Sequence, residues 1–145
     1  MKKVLIIAAI AIGLTACDTK KAVADSGNDP KLLNGAWELT YISGATMGAD
    51  QLYPKKKPLI NFNIIESKVN GNTGCNSFTG EILSIRPGEI SFDDNMVMTR
   101  MFCEGQGETV FVNNLKSVKA FRLTDEGKTL QLTNSKTDVM RLARK

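Results

Sequence analysis

Ala120-Phe121-Arg122-Leu123-Thr124, Thr129-Leu130-Gln131-Leu132-Thr133 and Val139-Met140-Arg141-Leu142 lie at the end of the chain, and their reading decides the fold. Leu130 and Leu132 alternate with polar neighbours, as in a strand with one buried and one wet face. Asp125-Glu126-Gly127-Lys128 and Asn134-Ser135-Lys136 separate the runs with turn-forming residues. Three short strands joined by tight turns make an antiparallel meander.

The same signature extends upstream. Trp37 to Ile42 opens the series with aromatic and β-branched residues. Pro58 to Ile64 is a second strand with proline at its edge. Lys68-Val69-Asn70 runs into a turn rich in Gly and Asn. Phe78 to Ser84 and Glu89 to Phe92 flank Arg86-Pro87-Gly88 and read as a hairpin. Between Glu108 and Val118 the period changes: Phe111, Leu115 and Val118 fall at i, i+4 and i+7, a helical stripe. Glu104 and Glu108 lie at its start and Lys116 and Lys119 at its end, as the helix dipole favours. So short a helix is marginal alone and must pack on the strands. The expected fold is mostly β within the α+β class. It is a strongly curved antiparallel sheet or half-open barrel over residues 34–145, with one helix packed on it.

Lys2 and Lys3 precede an uncharged run from Val4 to Leu14, which ends in Leu14-Thr15-Ala16-Cys17. This is the layout of an export signal, and the run is too short to span a bilayer, which takes about 20 apolar residues. The four residues resemble the lipobox of bacterial lipoproteins. That resemblance implies cleavage before Cys17 and lipidation of its thiol and new amine. Residues 1–16 are then a lipoprotein signal peptide. Residues 17–33 are the lipidated cysteine and a flexible tether, spanning roughly 20 Å r.m.s.. One acyl chain anchors only marginally, whereas several on one cysteine hold firmly. The expected location is the bacterial cell envelope, attached to a membrane through Cys17, with the outer membrane preferred over the inner.

Composition excludes several functions. The chain has no histidine, so Ser-His-Asp triads, Cys-His dyads and His-ligated metal sites cannot form. Asp93-Asp94 and Asp125-Glu126 sit where turns are expected, so no carboxylate pair stands in a catalytic motif. No catalytic residue, metal or cofactor is expected. Lys+Arg number 19 against 15 Asp+Glu. Loss of Lys2 and Lys3 with the signal leaves 17 against 15, a net charge of +2, too small to imply a nucleic-acid partner. Lys55-Lys56-Lys57 reads as a solvated loop ahead of an apolar strand.

With Cys17 lipidated, Cys75 and Cys103 remain. An even pair in an exported protein is expected to form a disulfide. Closing a loop of 28 residues contributes roughly 3.5 kcal/mol in the chain-entropy model. Two alternatives stand beside it: a pair of buried free thiols, or a redox-active pair with Arg100 lowering a thiol pKa, although redox pairs favour C-x-x-C spacing. Trp37 reads as a core anchor. Asn72 and Asn76 read as turn residues, with Asn76 and Arg100 also candidate binding residues.

Leu33-Asn34-Gly35-Ala36-Trp37, Gly74-Cys75-Asn76, Thr99-Arg100-Met101-Phe102-Cys103 and Glu108 follow one another in an order that resembles the META domain, or HslJ-like, family. Phe102 departs from that pattern, where a small residue is usual. The resemblance implies a small β-rich domain, often on envelope lipoproteins, tied to stress and envelope functions, and without established catalytic residues. The expected function is a non-enzymatic, monomeric envelope module that binds a protein, glycan or lipid or supports envelope integrity. The alternatives are a thiol–disulfide redox protein using Cys75 and Cys103, and a lipocalin-like small-ligand binder, suggested by Gly35-Ala36-Trp37.

Expressed with its signal, the chain should fractionate with membranes and carry acyl mass, both lost in Cys17→Ser. A Cys17→Ser form that stays membrane-bound at unshifted mass would contradict the lipobox reading.

Overall fold

The computed structural model describes residues 26–145 apart from Lys136. The expected signal peptide, Cys17 and the first part of the tether lie outside the described residues. The strands are β1 Gly35–Ile42, β2 Leu59–Asn63, β3 Lys68–Asn72, β4 Ser77–Arg86, β5 Glu89–Phe92, β6 Val97–Met98, β7 Ala120–Thr124, β8 Thr129–Thr133 and β9 Asp138–Arg144. Helix α1 is Ala49–Leu52 and α2 is Gly107–Ser117. Short 3-10 turns occupy Ser26–Asn28, Pro30–Leu33 and Asp125–Gly127.

All pairings are antiparallel. The order β3-β2-β1-β9-β8-β7-β5-β4 closes through β3–β4 pairing, so eight strands form a ring in which sequence neighbours are spatial neighbours. This is an up-and-down barrel. Its ladder is shortest at the β5–β7 seam, which has one residue pair, Glu89 with Ala120. Two further bonds hold that seam: Ile90 N–H to Lys119 O at 3.2 Å and Phe121 N–H to Gly88 O at 3.0 Å. β5 pairs with the second half of β4 and β6 with its first half, so the two run along one edge of β4.

The alternating residues point inward as expected. Trp37, Leu39, Ile60, Phe62, Val69, Ile90, Leu130, Leu132, Met140 and Leu142 belong to one continuous buried cluster. The barrel interior is therefore a packed core. Helix α2 lies against β1, β5 and β9, and the residues of its expected stripe, Phe111, Leu115 and Val118, are all buried. Phe111 meets Phe78 of β4 with ring centroids 5.7 Å apart. Asn114 fixes the helix laterally, accepting from Ser43 Oγ at 2.8 Å and donating to Ser43 O at 3.0 Å.

The opposite end of the barrel is closed by residues 28–33, which the sequence reading gave to the tether. Leu33 is fully buried, and the Trp37 indole N–H donates to Leu33 O at 2.8 Å. The Arg144 guanidinium lies 4.2 Å from the centroid of the Trp37 ring, a cation–π contact. It also donates to Leu32 O and Asn34 O. The local signal was a capped turn: Asp29 Oδ1 accepts from Lys31 N–H at 2.9 Å, with Pro30 in the first helical position. So short a turn has no periodicity to read. The same holds for four-residue α1 and two-residue β6.

Leu115→Ala should destabilise the domain by about 2–5 kcal/mol, measured by denaturant unfolding. A loss below about 0.5 kcal/mol would mean that α2 does not depend on this face.

Candidate functional site

Gly74-Cys75-Asn76 forms the turn between β3 and β4, at the barrel end where β1 finishes and β9 begins. Asn72 Oδ1 accepts from Gly74 N–H at 3.0 Å, the side-chain-to-backbone turn expected of that asparagine. Thr73 Oγ1 accepts from Asn76 N–H at 3.0 Å and donates to Glu108 Oε2 at 2.8 Å. Glu108 sits in the first turn of α2. Cys75 is bonded to Cys103, with sulfurs 2.03 Å apart and Cα atoms 6.0 Å apart. The disulfide was the expected pairing, and the reading as buried free thiols is overturned.

Asn76 is 1% exposed, and every hydrogen bond of its side chain is internal. Its Oδ1 accepts from Thr99 Oγ1 at 2.7 Å and from Met101 N–H at 2.8 Å. Its Nδ2 donates to Met101 O at 3.1 Å and Glu108 Oε2 at 2.9 Å, and lies 3.0 Å from Cys103 Sγ. One amide thus ties together the β3–β4 turn, the 99–103 segment and α2. It builds the site from behind and does not present a group to a ligand. Arg100 is exposed and forms no part of this network; among the described residues its side chain makes no ion pair.

A cleft of about 710 Å³ opens in front of this turn. One wall is the β1–β2 connection with α1; the other is the disulfide and residues 101–108. Its rim is apolar and open. Phe102 is 90% exposed, and Met47 and Met101 are also largely exposed. Lys55 and Lys56 stand on the α1 side and Glu104 on the other. Lys57 turns away to Asp50, with Nζ 2.6 Å from Oδ1. That hydrogen bond is the main cause that raises its pKa.

The back of the cleft is Tyr53. Its hydroxyl donates to Gly107 O at 2.7 Å. Its ring passes between two glycines: a Cβ on Gly74 would come within 2.5 Å of Tyr53 Cδ1, and one on Gly107 within 2.8 Å of Cε1. Gly74 also has φ +91°, a conformation that disfavours a side chain. So the Gly before Cys75 and the Gly opening α2 are both required by one aromatic ring. Sequence reading missed Tyr53 because it follows a helix too short to recognise.

The model of the META domain matches residues 30–145. The chain belongs to the META domain family. Its fold is similar to that of a protein from Burkholderia xenovorans solved by NMR, at 20% identity and TM-score 0.60, covering 100% of this chain and 99% of that one. A second NMR structure matches at 24% identity and TM-score 0.57 over 79% of this chain and 92% of that one. The crystal structure of a duf4847 family protein from Bacteroides vulgatus matches at 11% identity and TM-score 0.53, over 79% and 94% of the two chains. Comparison with curated proteins gives no match. Gly35-Ala36-Trp37 is thus the opening of a META domain, not of a lipocalin; α2 precedes three strands, and the barrel interior is filled.

Burial pushes the Tyr53 phenol from 10.0 up to about 12. Unfolded tyrosine ionises near 10, so the folded META domain resists ionisation that the unfolded chain accepts. The stability contribution is complete below pH 10 and is lost as pH rises towards 12. In unfolding titrations, Tyr53→Phe should fall less steeply than wild type over that interval. Parallel curves would show that Tyr53 titrates normally.

Proposed function

We propose that this META domain protein is a non-enzymatic, lipid-anchored envelope module that binds a partner at the cleft in front of Cys75–Cys103, in support of envelope integrity under stress. The observation that carries the reading is the open apolar rim of Met47, Met101 and Phe102 on a rigid backing. Aromatic anchors that become buried on binding carry much of an interface's energy, and exposed apolar surface rimmed by charge marks interaction sites. The wall beneath Phe102 is fixed by a disulfide and by Asn76, so little ordering entropy is lost on binding.

The lipobox resemblance supports the anchor. Residues 28–33 close the barrel end opposite the cleft, so a tether towards Cys17 leaves the domain at the end away from the cleft. A thiol–disulfide redox role remains as a second reading because both cysteines are part-exposed and line the cleft.

A photo-crosslinking residue placed at Phe102 in whole cells should capture a reproducible partner, and one placed at Lys119, away from the cleft, should not. Equal capture at both positions would contradict a cleft-centred module. Turnover of a disulfide substrate that Cys75→Ser abolishes would replace it with the redox reading.

A further inference from the structure

We infer that Cys75, Cys103 and Glu108 become a binding site for one thiophilic divalent cation, such as Zn²⁺ or Cd²⁺, when the disulfide is reduced. Among the described residues these three form a group whose ligand atoms all lie within 4.8 Å of one another. The closed disulfide offers no thiolate, so the oxidised domain is not this site. Reduction takes two electrons and two protons from an external dithiol, which leaves as its own disulfide. The two thiols then give up their protons as the metal binds.

The geometry fits one tetrahedral ion. Zn–S and Zn–O bonds of about 2.3 and 2.0 Å set sulfur and oxygen ligands about 3.5 Å apart. Glu108 Oε2 already lies 3.5 Å from Cys103 Sγ. Two thiolates on the same ion stand about 3.8 Å apart. Cα atoms 6.0 Å apart allow that spacing by side-chain rotation. The carboxylate is pre-positioned, because Thr73 and Asn76 both donate to Oε2; ligation through Oε2 displaces one of these two donors, since each carboxylate oxygen has two lone-pair sites. Such donors behind a ligand are typical of real metal sites. The Asn76 Nδ2 also lies 3.0 Å from Cys103 Sγ, so one of its two N–H groups is shared between that sulfur and its oxygen partners. Two thiolates and one carboxylate leave a fourth position for water or a ligand in the cleft. A site of this kind needs no histidine.

The inference is independent of the cleft's partner. The test is Cd²⁺ titration of the full chain carrying Cys17→Ser, reduced with a phosphine or left oxidised, following thiolate-to-metal absorption. The reduced protein should take up one equivalent and the oxidised protein none. Cys75→Ser and Cys103→Ser should each remove the saturable absorption, and Glu108→Gln should weaken binding about 10- to 100-fold. A reduced chain that keeps its fold by amide spectra yet takes up no Cd²⁺ would overturn the inference. Unchanged affinity in any of the three variants would do the same. If reduction unfolds the domain, Zn²⁺ must restore the native fluorescence of Trp37, the one tryptophan; failure to do so would also overturn it.

Discussion

The buried amide of Asn76 is the constraint on which the functional end of the barrel depends. Three chain segments meet there: the β3–β4 turn, residues 99–103 and the first turn of α2. The latter two offer polar groups to the buried amide, in hydrogen bonds that are part-buried. A buried donor or acceptor without a partner costs about 1–3 kcal/mol. An amide answers this arrangement because it accepts on one side and donates on the other. Asp would face Glu108 with like charge, and Leu would remove the bonds to Met101 N–H and O altogether while leaving Glu108 only Thr73 as a donor. The disulfide works on a different term: it restricts the unfolded chain, while Asn76 selects the folded arrangement.

The barrel supplies the frame for this arrangement. Closing the ring leaves no long free edge, and inward side chains fill it. Both ends then need covers. Residues 28–33 cover one end by way of Trp37 and Arg144, and α2 covers the other by way of Phe111 and Leu115. The polar chemistry collects under α2 because three connections converge there.

Much of the fold was legible in the sequence. Alternation at Leu130 and Leu132, the turn residues between the last strands and the stripe Phe111-Leu115-Val118 all reflect local periodicity, and each element formed where read. Barrel closure was not legible, because the β5–β7 seam rests on one residue pair and no local pattern encodes it. The META resemblance identified Gly74-Cys75-Asn76 and Glu108 as belonging together. It did not assign Asn76 its place behind the cleft, which follows only from burial. Tyr53 was missed because its importance lies in the space it takes between Gly74 and Gly107, a relation across 54 residues. Arg100 shows the converse: its position beside Cys103 in sequence did not place it in the network.

The most direct test is the unfolding free energy of Asn76→Ala with Cys75–Cys103 kept oxidised. Removing the buried amide breaks several part-buried hydrogen bonds at once, so the loss should be about 2 kcal/mol or more. A loss below about 0.5 kcal/mol would show that the disulfide and the barrel hold this end without Asn76, and would contradict the account.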